Sequence, residues 1–242
     1  EGAFALKATP GETITVRADI FADGHDSLSA WLMHVREDDE QWSWTWMEPL
    51  VNDRWEGRFR VGSPGRHYYA VAGAVNHFAT WRKDLQAKRR AGSEDPETEL
   101  KAGLGLIEAG HRLAEGPDRE LIAFWMERIR GEEYTEQSLR LCLSPELLEL
   151  ISRYPDPWAV SRTERSLPVQ VDRELAGFSA WYELFPRSCT DDPARHGTFA
   201  DCEKILPEIA SMGFDVVYLP PVHPIGVTDR KGPDNAPRAG PN

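Results

Sequence analysis

The sequence predicts a multi-domain chain: an immunoglobulin-like β-sandwich with an inserted α-helical bundle, followed by the first β-α-β portion of a parallel barrel. Three observations support this fold class. Short segments of period two fill residues 12–86, the apolar period becomes helical after Gly92, and a helical pattern joins two apolar strand candidates near the carboxyl end. The corresponding domains are 1–92 with 155–176 for the sandwich, 93–154 for the helical insert, and 177–242 for the start of the barrel.

The front of the chain shows the alternation of half-buried strands. Ile14, Val16, Ala18 and Ile20 alternate with polar residues, which places one face on a core and the other in water. Further strand candidates are 29–36, 42–48, 54–61, 67–74 and 77–85. About six strands separated by turn residues indicate a sandwich.

Trp42, Trp44 and Trp46 occupy alternate positions of one predicted strand, so their rings project from one face. Two interpretations are open. The rings can stack on sugar rings, or they can fill a sandwich core or an inter-domain contact, since each indole buries a large apolar area. The pattern alone favours burial. The same interpretation, core or interface, applies to Trp31, Trp55 and Trp81.

Four short helices are predicted between residues 93 and 154. Asp95 followed by Pro96 is typical of a first helical turn, Gly116 and Pro117 separate the first two helices, and Ser144 precedes the last. The glutamates of this region have no fixed spacing, so we expect a solvated face rather than an acid-base or metal site. These residues are Glu94, Glu97, Glu99, Glu132, Glu133 and Glu136.

The carboxyl-terminal part predicts a β-α-β unit. Residues 180–185 and 214–219 are strand candidates, and between them Thr198 and Asp201 have the spacing of a capping box at the start of a helix. A proline-rich loop follows the second strand. It carries Lys231 and Asn235, which can hydrogen-bond sugar hydroxyls or meet a phosphate. A solvated surface turn is the alternative, and spacing alone favours it.

Composition argues against several classes of function. The formal charge of −12 opposes binding to nucleic acid or an anionic membrane. The amino terminus lacks the pattern of a signal peptide, and no apolar run is long enough to span a bilayer. Cys189, His196 and Cys202 lack the short spacing of metal-ligand pairs. For His196 and His223, which have no recognisable nucleophile partner, we expect structural roles.

Several literal runs make the chain similar to a known family. They are WYELFPRS at 181–188, HGTF at 196–199, MGFDVVYLPP at 212–221, HPIG at 223–226 and RKG at 230–232. On these runs the sequence resembles the bacterial maltose-1-phosphate-dependent α-1,4-glucan maltosyltransferases of the α-amylase superfamily. Weaker similarity extends over the sandwich and the helical insert.

The resemblance implies a (β/α)8 catalytic barrel, of which this chain would supply the first two strands and the first helix. It also implies a retaining double displacement by two carboxylates that would come from later strands. We therefore expect no catalytic residue in this chain, and no activity from these 242 residues alone.

Position by position, Lys231 and Asn235 match the family's residues that hydrogen-bond the donor sugars, whereas Asp229 and Asp234 depart from its pattern. The resemblance further implies α-maltose 1-phosphate and α-1,4-glucan as substrates, no metal or organic cofactor, a cytoplasmic setting and a homodimer. Two alternatives stay open: a non-catalytic glucan-binding or dimerisation module, and part of an amylase-type hydrolase or branching enzyme.

Overall fold

The computed structural model describes residues 4–93, 95–132, 135–224, 226 and 228–239. The chain divides into two compact units, Glu1–Asp172 and Arg173–Asn242. The first combines β-sheets with helices and the second contains a small parallel sheet, so the chain is a mixed sheet and helix structure. Within the described residues, no helix has both the length and the apolar character that a bilayer crossing requires.

In the described part of the first unit, seven strands precede the helices. They are β1 (Leu6–Ala8), β2 (Thr13–Asp19), β3 (Leu28–Arg36), β4 (Ser43–Trp46), β5 (Glu48–Pro49), β6 (Arg54–Arg60) and β7 (Gly65–Val75). Five helices follow: α1 (His77–Ala91), α2 (Pro96–Leu113), α3 (Gly116–Gly131), α4 (Thr135–Cys142) and α5 (Pro145–Ser152). Two more strands, β8 (Ser161–Arg162) and β9 (Leu167–Val171), complete the unit.

The strands form two sheets that share one core. One sheet has the order β1-β9-β7-β3-β4 with β8 beside β7, and the other has the order β2-β6-β5. Ile14 and Phe59 of the smaller sheet belong to the same buried cluster as Leu32, Val71 and Val169 of the larger sheet. The alternation predicted for β2 is confirmed, since Ile14 and Val16 are buried between exposed neighbours.

The helices enclose a separate apolar cluster, built from buried side chains such as Leu85, Ile107, Ile122 and Leu139. The strand predicted for 77–85 is wrong, because this segment is the first half of α1. The Asn76 side chain accepts a hydrogen bond from the Ala79 amide at 2.9 Å, which caps the helix. Phe78, Trp81 and Leu85 then share one helical face and enter the helical cluster.

The second unit contains the predicted β-α-β arrangement. Strands β10 (Trp181–Glu183) and β11 (Val216–Tyr218) pair in parallel, with α6 (Phe199–Ser211) between them in sequence. The capping box of Thr198 and Asp201 is confirmed. Strand β10 is shorter than predicted, because the chain enters a short 3₁₀ turn at Pro186–Ser188. Leu184, Cys202 and Ile209 are buried in the core of this unit.

Candidate functional site

The predicted site residues lie on the segment that follows β11. Since β10 and β11 are parallel, the loops after both strands leave from the same edge of the sheet. Loops in this position commonly carry the functional residues of α/β proteins. The Leu184 amide donates to the Tyr218 carbonyl at 2.9 Å and extends the pairing to this edge.

Lys231 and Asn235 occur on one compact turn of this segment. The Gly232 amide donates to the Ala236 carbonyl at 3.0 Å, and outside it the Ala239 amide donates to the Arg230 carbonyl at 3.0 Å. Both candidate side chains are exposed, and they lie four positions apart within the outer of these two hydrogen bonds. The structure thus places both on the same small loop with their polar groups available to a ligand.

The residue types of this loop suit its backbone. Asp229, Asp234 and Asn235 have φ angles of 52°, 52° and 62°, in the left-handed region. Asparagine and aspartate enter that region more readily than other residues with a Cβ atom. The two aspartates at which the sequence departs from the family pattern are therefore compatible with the loop's shape. They also balance the charges of Arg230 and Lys231.

The long loop after β10 is anchored by an ion pair. Arg195 donates to both oxygens of Asp201, from Nη1 at 2.7 Å and from Nη2 at 3.0 Å, and the Thr198 amide donates to the same carboxylate at 3.0 Å. The Arg195 guanidinium, and after it the hydrogen bonds from Thr198 and Lys204, hold the pKa of Asp201 well below its usual range. This cluster fixes the loop to the start of α6.

His196, His223 and Cys189 each contact a backbone carbonyl close to them in sequence. A ring nitrogen of His196 lies 3.0 Å from the Gly197 carbonyl, and one of His223 lies 3.1 Å from the Pro224 carbonyl. The Cys189 thiol donates to the Phe185 carbonyl at 3.2 Å. Burial, together with a hydrogen bond to Cys202, raises the pKa of Cys189 to about 11, so this thiol stays protonated at neutral pH.

The tryptophans of β4 do not enter the sandwich core. In the pairing of β3 with β4, Trp31 faces Trp46 and Met33 faces Trp44, on the side of the sheet opposite Leu32. Trp46 makes edge-to-face contacts with Trp31 at 6.0 Å and with Trp44 at 5.3 Å between ring centroids. The core interpretation is therefore wrong for Trp44 and Trp46.

These rings form one wall of an open cleft of about 710 Å³. Asp118, Arg153 and Tyr154 line it from the helical side. The Tyr154 hydroxyl donates to Asp118 at 2.8 Å, and Arg153 donates to the same carboxylate at 3.1 Å. Sequence reasoning missed these polar residues, which lie far along the chain from β4. Trp31 and Met33 occupy alternate positions of β3, and this alternation was a sequence signal that they share one face of the sheet with the tryptophans of β4.

One of the glutamates predicted to be solvated is buried. Glu99 is 7% exposed, accepts a hydrogen bond from the Trp81 indole at 3.1 Å and pairs with Lys88 at 2.6 Å. Glu136 makes a partly buried ion pair with Arg89. Glu94 and Glu133 lie outside the described residues. The expectation of a solvated face is thus wrong for Glu99, whose contacts join two helices.

Comparisons with known proteins find the same family for the first 173 residues and for the chain as a whole. A family model described as "alpha-1,4-glucan:maltose-1-phosphate maltosyltransferase, domain N/S" matches residues 1–173. Proteins named alpha-1,4-glucan:maltose-1-phosphate maltosyltransferase are similar to this chain in Chlorobaculum tepidum, at 43% identity over 241 residues, and in Pseudomonas aeruginosa, at 39% over 243. The alignments cover 100% and 99% of this chain but 36% of each relative. The chain therefore spans about a third of the length of the curated relatives it matches.

Proposed function

The chain belongs to the α-1,4-glucan:maltose-1-phosphate maltosyltransferase family, and from this premise we propose that the full-length protein transfers maltosyl units from α-maltose 1-phosphate to the non-reducing end of an α-1,4-glucan. The match of the domain N/S model to residues 1–173 carries this proposal, because the description of that model names the maltosyltransferase. The cytoplasmic, homodimeric and cofactor-free setting that the family resemblance implies is part of the proposal.

The proposed architecture follows the same assignment. The two sheets with a common core would be an immunoglobulin-like sandwich, and the cluster of α1 to α5 would include its helical insert. The parallel pair β10 and β11 with α6 would be the first part of a (β/α)8 barrel. In favour of this, β10, α6 and β11 follow one another as in a barrel repeat, and the long loops lie at the carboxyl ends of the strands.

The proposed reaction is a double displacement with retention at the anomeric carbon. A carboxylate from a later strand of the full-length protein's barrel attacks C1 of the maltosyl group, and the bond from C1 to the phosphate oxygen breaks. A carboxylic acid protonates the departing phosphate. The resulting carboxylate then takes the proton of the acceptor hydroxyl as that oxygen displaces the first carboxylate from C1.

In this scheme Lys231 and Asn235 bind the sugar part of the donor. The ammonium group of Lys231 has three donors, and the amide of Asn235 both donates and accepts, so together they suit a ring of hydroxyl groups. Because the carboxylates of Asp229 and Asp234 balance the charges of Arg230 and Lys231, the loop has no net positive charge to attract a phosphate. The loop's role is to orient the donor rather than to react with it.

The proposed reaction is tested by supplying the full-length protein with α-maltose 1-phosphate and maltohexaose and measuring inorganic phosphate. We expect phosphate release that depends on the acceptor. Release of reducing sugar from starch without any use of α-maltose 1-phosphate would instead indicate a hydrolase and overturn the proposal.

A second function of this chain is favoured by the aromatic cleft. We propose that the cleft bordered by Trp31, Trp44 and Trp46 binds α-glucan without catalysis. Indole faces stack on the apolar faces of sugar rings, while Arg153 and Tyr154 offer hydrogen-bonding groups on the opposite wall. The volume of about 710 Å³ lies in the range of ligand sites, about 300–1,000 Å³.

A further inference from the structure

The turn that carries Lys231 and Asn235 closes on Gly232. A Cβ atom at this position would overlap the carbonyl oxygen of Arg238, and would lie 3.2 Å from its carbonyl carbon and 3.4 Å from the Cβ atom of Ala236. The obstructing group is backbone, so no change of side-chain rotamer can make room for it. Only glycine allows the two arms of the turn to approach as they do.

The same closure fixes the backbone on both sides of Lys231. Arg230 accepts the amide hydrogen bond of Ala239, and Gly232 donates its own amide to Ala236, each at 3.0 Å. Asn235 directly precedes Ala236 and adopts a φ of 62°. The two candidate side chains therefore project from a backbone whose neighbouring residues are hydrogen-bonded across the turn.

We propose that Gly232 is a positioning residue, which sets the relative placement of Lys231 and Asn235 through the close approach of its α-carbon to the Arg238 carbonyl. The inference rests on the proposed function, because it assumes that these two side chains bind the donor. Gly232 itself offers no side chain to the substrate, so its effect is exerted only through the shape of the turn.

A methyl group at position 232 would force the arms of the turn apart and displace Lys231. Hydrogen bonds weaken steeply as distance and angle depart from ideal values, and misplacement by about 1 Å can cost about a hundredfold in rate. We expect Gly232→Ala to raise KM for α-maltose 1-phosphate about tenfold or more. KM for the glucan acceptor should stay unchanged, because the turn is assigned to the donor.

Gly226 provides a matched control on the same proline-rich segment. A Cβ atom there would meet no atom within 4 Å, and its φ lies outside the left-handed region. In the full-length protein, Gly226→Ala should therefore leave both KM values and the thermal midpoint as in the wild type. Equal kinetics for Gly232→Ala and Gly226→Ala would overturn the inference.

A double-mutant cycle separates positioning from a general structural role. If Gly232 acts only through Lys231 and Asn235, then Gly232→Ala should change donor KM by less than about twofold once both of these residues are already alanine. Full additivity of the effects would contradict the assignment.

A second variant tests the inference if Gly232→Ala lowers the thermal midpoint. Ala239→Pro removes the hydrogen bond to the Arg230 carbonyl and adds no clash at Gly232. It should raise donor KM in the same way, and an unchanged donor KM would count against the inference.

The outcome for the wild type separates this inference from the proposed function. If the wild-type protein releases no phosphate from α-maltose 1-phosphate, the proposed function and the inference both fall. If the wild type is active and Gly232→Ala matches it in donor KM, only the inference falls.

Discussion

The indole ring of Trp81 packs against the α-carbon of Gly103, so closely that a Cβ atom at position 103 would lie 2.5 Å from Cζ2 and 3.0 Å from Cζ3 of the ring. This contact joins α1 to α2. The indole nitrogen also donates to Glu99 at 3.1 Å, one turn before Gly103 on α2. Glu99 thus holds the indole nitrogen, and Gly103 packs against the six-membered ring of the same side chain.

Gly103→Ala should destabilise the helical part by about 1–3 kcal/mol, because the ring of Trp81 is held and cannot yield without losing its hydrogen bond. Gly105→Ala is the matched control on the same helix. Position 105 is exposed with open space around a Cβ atom, so this change should stabilise by about 0.4–1 kcal/mol. Urea unfolding followed by circular dichroism measures both. Equal effects of the two substitutions would contradict the packing described.

Asp201→Asn should lower stability in a pH-dependent manner. The Arg195 ion pair lowers the pKa of Asp201 in the folded state, so this carboxylate adds stability above its unfolded pKa of about 3.9 and the contribution is lost as pH falls through the folded value. The thermal midpoints of wild type and variant should therefore differ most near neutral pH and converge below about pH 4. Glu203→Gln, at an exposed position of α6, is the control. A difference that does not change with pH would show that the ion pair is not its cause.

Lys231→Ala should weaken use of the donor without loss of fold, and Asn235→Ala should weaken it with a small loss of stability, since alanine is less favourable than asparagine at a φ of 62°. A hydrogen bond to a charged group contributes about 1.5–3 kcal/mol, so kcat/KM for α-maltose 1-phosphate should fall about tenfold to a hundredfold for Lys231→Ala. The loss for Asn235→Ala should be smaller, since its amide is neutral. Lys101→Ala removes an exposed lysine of α2 and should change nothing. Unchanged donor kinetics, or a large fall in thermal midpoint, would contradict the site assignment.

Trp44→Ala should reduce the retardation of the protein in native gels that contain glycogen, because it removes the more exposed wall of the aromatic cleft. Trp44→Phe retains a ring and should restore most of the retardation. Trp158→Ala, which removes a tryptophan that is 96% exposed and does not line this cleft, is the control. Full glycogen affinity in Trp44→Ala would contradict the proposed binding role of the cleft. Phosphate release with maltohexaose should be unchanged in all three variants, because the cleft is not assigned to catalysis.

The regular parts of the fold were predictable because their periods are local. Ile14 and Val16 alternate over a buried core, and Thr198 with Asp201 begins α6 as the spacing indicates. The strand prediction for 77–85 overlooked a helical period, since Phe78, Trp81 and Leu85 are spaced three and four residues apart. Asn76, a cap placed directly before it, decides in favour of the helix.

Contacts between distant residues were not predictable from spacing. The burial of Glu99 depends on Trp81 and Lys88 of another helix, and the cleft beside Trp44 depends on Arg153 and Tyr154. For the candidate site, the family resemblance indicated Lys231 and Asn235, whereas spacing alone favoured a solvated turn. The close approach of Gly232 to the Arg238 carbonyl depends on the path of the backbone between them, which no sequence period predicts.

The step size of the glucan product tests the proposed function most directly. Full-length protein is incubated with α-maltose 1-phosphate and maltohexaose, the products are resolved by mass spectrometry, and phosphate is measured in the same samples. We predict that the acceptor grows in steps of two glucosyl units, with one phosphate released per step. Growth by single units, or an unchanged acceptor with no phosphate released, would contradict the assignment to maltosyl transfer.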